Sequence, residues 1–150
     1  MSEVTINRRQ AVRAAAGVAA GGLLVAGAGV GSASAASSDL LGTWLVTHED
    51  DDGESGLSLA SFIADGVIVV NDIRPAGSVG TGSWEDKGDD KFKATFWYGF
   101  PAEDSSAKVE VWGKLKDDKI SGDFTLTVYD SDGNEVHSVD GTFEGEPLDA

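Results

Sequence analysis

"LKDDKI", residues 115–120, is the stretch that decides how this chain folds. Two aspartates between lysines, with apolar residues beyond, suit the shortest link between antiparallel strands, a two-residue turn. With Asp117-Asp118 as that turn, the cross-strand partners follow by counting. Leu115 faces Ile120, Gly113 faces Gly122, Val111 faces Phe124 and Val109 faces Leu126. Strand side chains alternate, so these pairs share one face while Lys114, Lys116 and Asp123 lie on the other. A slip of one residue would exchange the two faces, and so the pattern selects the register.

The same inside face extends in both directions. Across "PAEDSSA", residues 101–107, Phe100 set against Val109 is followed by Tyr98 against Val111, Phe96 against Gly113 and Ala94 against Leu115. Downstream, a turn at Asp132-Gly133 in "YDSDGNEV" sets Leu126 against Val139 and Phe124 against Gly141. Short apolar alternation separated by acidic and Gly turns recurs along the chain, and no useful amphipathic helical stretch interrupts it. The reading is eight strands near 41–48, 58–64, 67–73, 80–86, 91–100, 107–116, 119–129 and 135–144. Eight antiparallel strands in a meander predict an up-and-down barrel, whose closure removes exposed edges; a two-sheet β-sandwich is the alternative.

The first 35 residues differ in kind. "NRRQAVR", residues 7–13, is basic; residues 14–31 are an uncharged run dominated by Ala and Gly; Ala33-Ser34-Ala35 supplies a small-residue cleavage triplet. Basic start, apolar middle and A-x-A end describe an export signal. Arg8-Arg9 make it resemble a twin-arginine leader, which implies export of an already folded protein. The expected division is therefore a signal peptide over 1–35 and one barrel domain over 36–150, secreted or extracytoplasmic and free of the membrane after cleavage.

The whole chain has 26 acidic and 11 basic residues. Without Glu3, Arg8, Arg9 and Arg13, 25 acidic and eight basic residues remain, a net charge of −17. Such a surface repels phosphate backbones, which argues against nucleic-acid binding. There is no cysteine, hence no disulfide framework and no thiolate metal site. "HEDDDGES" and "DSDGNE" offer oxygens without the spacing of a calcium loop, and acidic turn residues explain them, so no metal and no cofactor is expected.

"LLGTWLVTH", residues 40–48, looks like the G-x-W opening strand of lipocalin-like (calycin) barrels. The order continues with Phe62 and Asp65-Gly66, then Gly80, Gly82 and Trp84, then Asp132-Gly133-Asn134, as in a type of small secreted bacterial barrel. The resemblance implies an up-and-down barrel, often with an interior cavity for a small apolar ligand.

With Trp44 inward, alternation carries Val46 and His48 to the same side. Trp84, Phe92, Phe96, Tyr98, Phe100, Phe124 and Phe143 are the other inward aromatics, with Phe62 unassigned. The candidate ligand-binding set is Trp44, Trp84, Phe96, Tyr98 and Phe124, with His48 and His137 as polar contacts; a barrel filled by its own side chains is the rival. Gly113, Gly122 and Gly141, all inward, favour open space. Trp97 and Trp112, read as facing each other on the outside, mark a partner surface or a stacked pair, in a monomer or homodimer. No G-x-S-x-G elbow is present and there are only two histidines, so the reading is a non-catalytic binder. Its alternatives are a barrel cyclase or isomerase, and a solid-core protein acting through the outer tryptophans.

Overall fold

The computed structural model describes residues 37–149, so the leader, Arg8 and Arg9 included, lies outside the described residues. A 3-10 turn at Ser37–Leu40 precedes eight strands: β1 (Gly42–Asp50), β2 (Ser55–Ile63), β3 (Val67–Arg74), β4 (Ala76–Gly88), β5 (Lys91–Phe100), β6 (Ser105–Lys116), β7 (Lys119–Tyr129) and β8 (Glu135–Pro147). Each strand pairs antiparallel with the next and β8 pairs with β1, giving a closed barrel and not a sandwich. Several strands run further than the apolar alternation marks, β4 most of all, because ladder hydrogen bonds continue where the side chains turn polar.

The β6–β7 register is the one counted from the Asp117-Asp118 turn, with Leu115 opposite Ile120 and Val109 opposite Leu126. Both aspartates have positive φ, 52° and 58°, as a type I′ turn requires. In β7–β8 the expected pairs Leu126–Val139 and Phe124–Gly141 also hold. Their connection differs. Instead of a two-residue turn at Asp132-Gly133, the chain loops around Asp130, whose Oδ1 accepts from the backbone N–H groups of Asp132 and Asn134. A register shift between Val128 and Tyr129 absorbs the longer loop.

The β5–β6 register differs from the expectation. Phe100 lies opposite Ser105, Tyr98 opposite Ala107, Phe96 opposite Val109 and Ala94 opposite Val111, a displacement of four residues along β6. The loop is tighter than "PAEDSSA" suggests: Pro101–Glu103 forms a 3-10 turn and Asp104 takes the left-handed conformation. An even displacement leaves every side chain on its own face, so apolar patterning does not distinguish the two registers.

Inward residues form one core running the length of the barrel. One end is closed. Leu40 folds under it, and the Trp44 indole donates to the Leu40 carbonyl at 2.9 Å. Beside it, Trp84 donates to the Ile63 carbonyl at 3.0 Å and packs edge-on against Phe62, which points inward. Satisfying both indole N–H groups is what lets two tryptophans be buried there.

Candidate functional site

Toward the other end the interior opens into a cavity of about 120 Å³. Its wall is apolar: Val46, Ala60, Ile68, Val70, Val109, Val111, Ile120 and Leu126, with the rings of Phe62, Phe92, Phe96, Phe124 and Phe143. Every strand except β4 contributes to this wall, from alternating positions that face inward. Phe62, Phe92 and Phe143 form the floor, with Phe62 and Phe92 edge-to-face at 5.2 Å.

The polar groups gather at one corner. Ser58 on β2, Asp72 on β3 and Tyr98 on β5 line the cavity together with His48 on β1. Ser58 Oγ donates to Asp72 Oδ1 at 2.6 Å, and the Tyr98 hydroxyl donates to the same oxygen at 3.3 Å. Burial, and then the neighbouring Asp72 carboxylate, push the Tyr98 phenol well above its ordinary pKa. Tyr98 is therefore a neutral hydrogen-bond donor across the physiological range. The His48 ring lies edge-on to Phe124 at 6.1 Å and over Gly56 of the facing strand, where a β-carbon would come within 2.6 Å of it.

Of the candidate ligand-binding residues, the structure brings Phe96, Tyr98, Phe124 and His48 together in the cavity wall. Trp44 and Trp84 are inward and buried but lie at the closed end, where they plug the barrel and leave the cavity wall to others. His137 stands at the exposed rim, its Nε2 3.4 Å from Asp52 Oδ2, because β8 has left the barrel interior by that height. The inward glycines do not open space either. A β-carbon on Gly113 or Gly141 would strike the ring of Phe92 or Phe124, so these glycines are the seats of the rings. Ser58 and Asp72 were missed as site residues. Their signal was parity: Asp72 follows Ile68 and Val70 at strand spacing, and Ser58 precedes Ala60 and Phe62.

On the outer face Trp97 and Trp112 do not face each other. The displaced β5–β6 register sets Trp97 opposite Lys108 and Trp112 opposite Lys93. Trp97 packs on Tyr129 with ring centroids 5.4 Å apart, while Lys93 Nζ sits 5.7 Å above the Trp112 ring. Each indole remains about half exposed. The acidic stretches 50–54 and 130–134 are two copies of one loop. In each, the leading aspartate accepts from the N–H groups two and four residues on. Both cap the open end, being the β1–β2 and β7–β8 connections.

No protein-family model matches the chain, and no curated protein matches it. Solved structures do match. The structure of EF1p2_mFAP2b bound to DFHBI is similar at a TM-score of 0.60 and 20% identity, over 78% of this chain and 100% of that one. A redesigned beta barrel is similar at 0.52 and 22% identity, over 76% and 96% of the two chains. At these identities the likeness is one of fold: the neighbours are small eight-stranded β-barrels.

Proposed function

We propose that this chain is an exported, lipocalin-like binding protein that holds a small, mainly apolar molecule inside its barrel. The observation that carries the reading is the cavity itself, an apolar wall with polar groups at a single corner. Ligand sites of this make-up use the wall for affinity and the few polar groups for orientation. The similar barrel that carries DFHBI supports the reading, since it is an instance of this architecture with a small molecule bound. Size restricts the occupant. An enclosed apolar space of roughly 150 Å³ takes benzene, so a cavity of about 120 Å³ suits a single ring or a short branched chain. The wall contains no cysteine, and its one hydroxyl pair, Ser58 and Tyr98, is tied to Asp72, which favours binding over turnover. Residues 1–35, with Arg8 and Arg9, are proposed as the removed leader, and 36–150 as a secreted domain, monomeric or homodimeric.

Titration of 15N-labelled protein with toluene tests this. Amide shifts clustered on Val70, Val109, Phe124 and Leu126 are expected, and Ala60→Leu, which places three further carbons in the cavity, is expected to abolish them. No shifts, or shifts confined to the Trp97 and Trp112 surface, would overturn the reading.

A further inference from the structure

The corner formed by Asp72 carries a demand that its protein partners leave unmet. An ionised carboxylate has roughly four lone-pair positions to fill. Asp72 Oδ1 receives Ser58 and Tyr98, whereas among the described residues no group donates to Oδ2. Both donors are neutral, so they satisfy geometry without balancing the charge. No lysine or arginine lines the cavity. Arg74, two residues along the same strand, is not within ion-pair distance of Asp72 among the described contacts. A ligand that fills the space beside a half-buried carboxylate removes part of its solvation and must replace what that solvation gave.

The surroundings point the same way. Loops 50–54 and 130–134 place Asp50, Asp51, Asp52, Glu54, Asp130 and Asp132 around the opening. Among the described residues their one contact with a basic side chain is Asp52 with His137, at 3.4 Å. A mouth of this sign concentrates cations and repels anions before any contact is made.

We infer that the cavity selects a small amphiphilic amine, its single-ring or short aliphatic body among Val70, Val109, Phe124 and Leu126 and its ammonium group on Asp72. The inference rests on the apolar-site reading above and adds the chemical class of the ligand. An ammonium supplies up to three donors and the missing charge, whereas a hydroxyl supplies one donor and no charge. Ser58 and Tyr98 hold the carboxylate in place for it. A ligand carboxylate would face Asp72 across the same corner, and the site would reject it.

Three probes with similar bodies separate the possibilities: benzylamine, benzyl alcohol and phenylacetate, titrated by NMR into the folded full domain at neutral pH. Benzylamine is expected to bind at least about tenfold more tightly than benzyl alcohol, with phenylacetate weakest, and the shifts should centre on Val70, Asp72 and Leu126. Asp72→Asn keeps the shape of the corner and should retain benzyl alcohol binding while losing the preference for the amine. Tyr98→Phe, which leaves the carboxylate intact, should keep that preference. Equal binding of amine and alcohol by the native chain, or an amine preference that survives in Asp72→Asn, would overturn the inference and leave the apolar site standing. Failure of all three to bind would overturn both. Should Asp72→Asn not fold, the ranking of the three probes on the native chain still decides.

Discussion

Gly113 lies opposite Phe92, Gly141 opposite Phe124, Gly122 opposite Phe143 and Gly56 opposite His48. In three of these pairs the ring folds over the glycine, filling the place its β-carbon would take. Gly122 differs, since its β-carbon position is blocked by the backbone of Trp112 and Gly113 on β6. A ring can be displaced at some cost, but a paired backbone cannot be displaced without opening the ladder. Gly122→Ala should therefore destabilise the domain by about 3 kcal/mol, the upper end of ordinary overpacking. Gly99→Ala, with nothing within 4 Å of the new carbon, should stay within about 0.5 kcal/mol of the parent. Urea unfolding of the two variants checks the contrast.

Tyr98 supplies a second test at the same scale. Its folded-state pKa is raised above the unfolded value of 10.0 by burial and by Asp72. The native state thus keeps a proton that the unfolded chain releases, and the unfolded state is favoured as pH climbs past that value. The contribution is fully present below pH 10 and declines above it. Denaturant midpoints should fall more steeply above pH 10 for the native chain than for Tyr98→Phe. Equal slopes would contradict the buried Tyr98–Asp72 contact.

Among the elements, the turns carry most of the specification. β4–β5 and β6–β7 both close on Asp-Asp pairs with all four aspartates at positive φ, from 52° to 60°. Aspartate tolerates this conformation better than most residues, yet glycine adopts it without a steric penalty. Asp118→Gly should stabilise the domain by up to about 1 kcal/mol, with no change in the β6–β7 amide pattern, as read by thermal unfolding and NMR. The β6–β7 hairpin was legible in the sequence because a two-residue turn leaves one register open. The β5–β6 hairpin was not, because its partners could move by four residues without changing face, and only the 3-10 turn at Pro101–Glu103 fixes them. That displacement also separated Trp97 from Trp112. The β7–β8 pairs were read correctly while the loop joining them was not, since the Asp130 side chain closes five residues where two sufficed on paper.

Over the whole molecule, alternation revealed which residues face inward and not how high they stand. Trp44, Trp84, Phe96 and Tyr98 share the interior, but the first two occupy the closed end and the last two the cavity. Height along a tilted strand depends on register summed around the barrel, a quantity set by loops as much as by strands. His137 illustrates the same point, being inward by parity and at the rim by height. The charge is also unevenly placed. Every lysine lies between Lys87 and Lys119, on β4 to β7 or their turns, whereas the acidic loops 50–54 and 130–134 stand at the open end. Closed floor, apolar wall, one carboxylate corner and an acidic mouth together give the barrel a direction, plugged at Trp44 and Trp84 and open on the Asp72 side.

The most direct test of a ligand-holding interior is a crystal structure of residues 36–150 grown with benzyl alcohol. The predicted result is the ring enclosed by Val70, Val109, Phe124 and Leu126 with its hydroxyl within hydrogen-bond distance of Asp72. An interior closed by Phe96 and Phe124, with the ring bound on the outer tryptophans or nowhere, would contradict it.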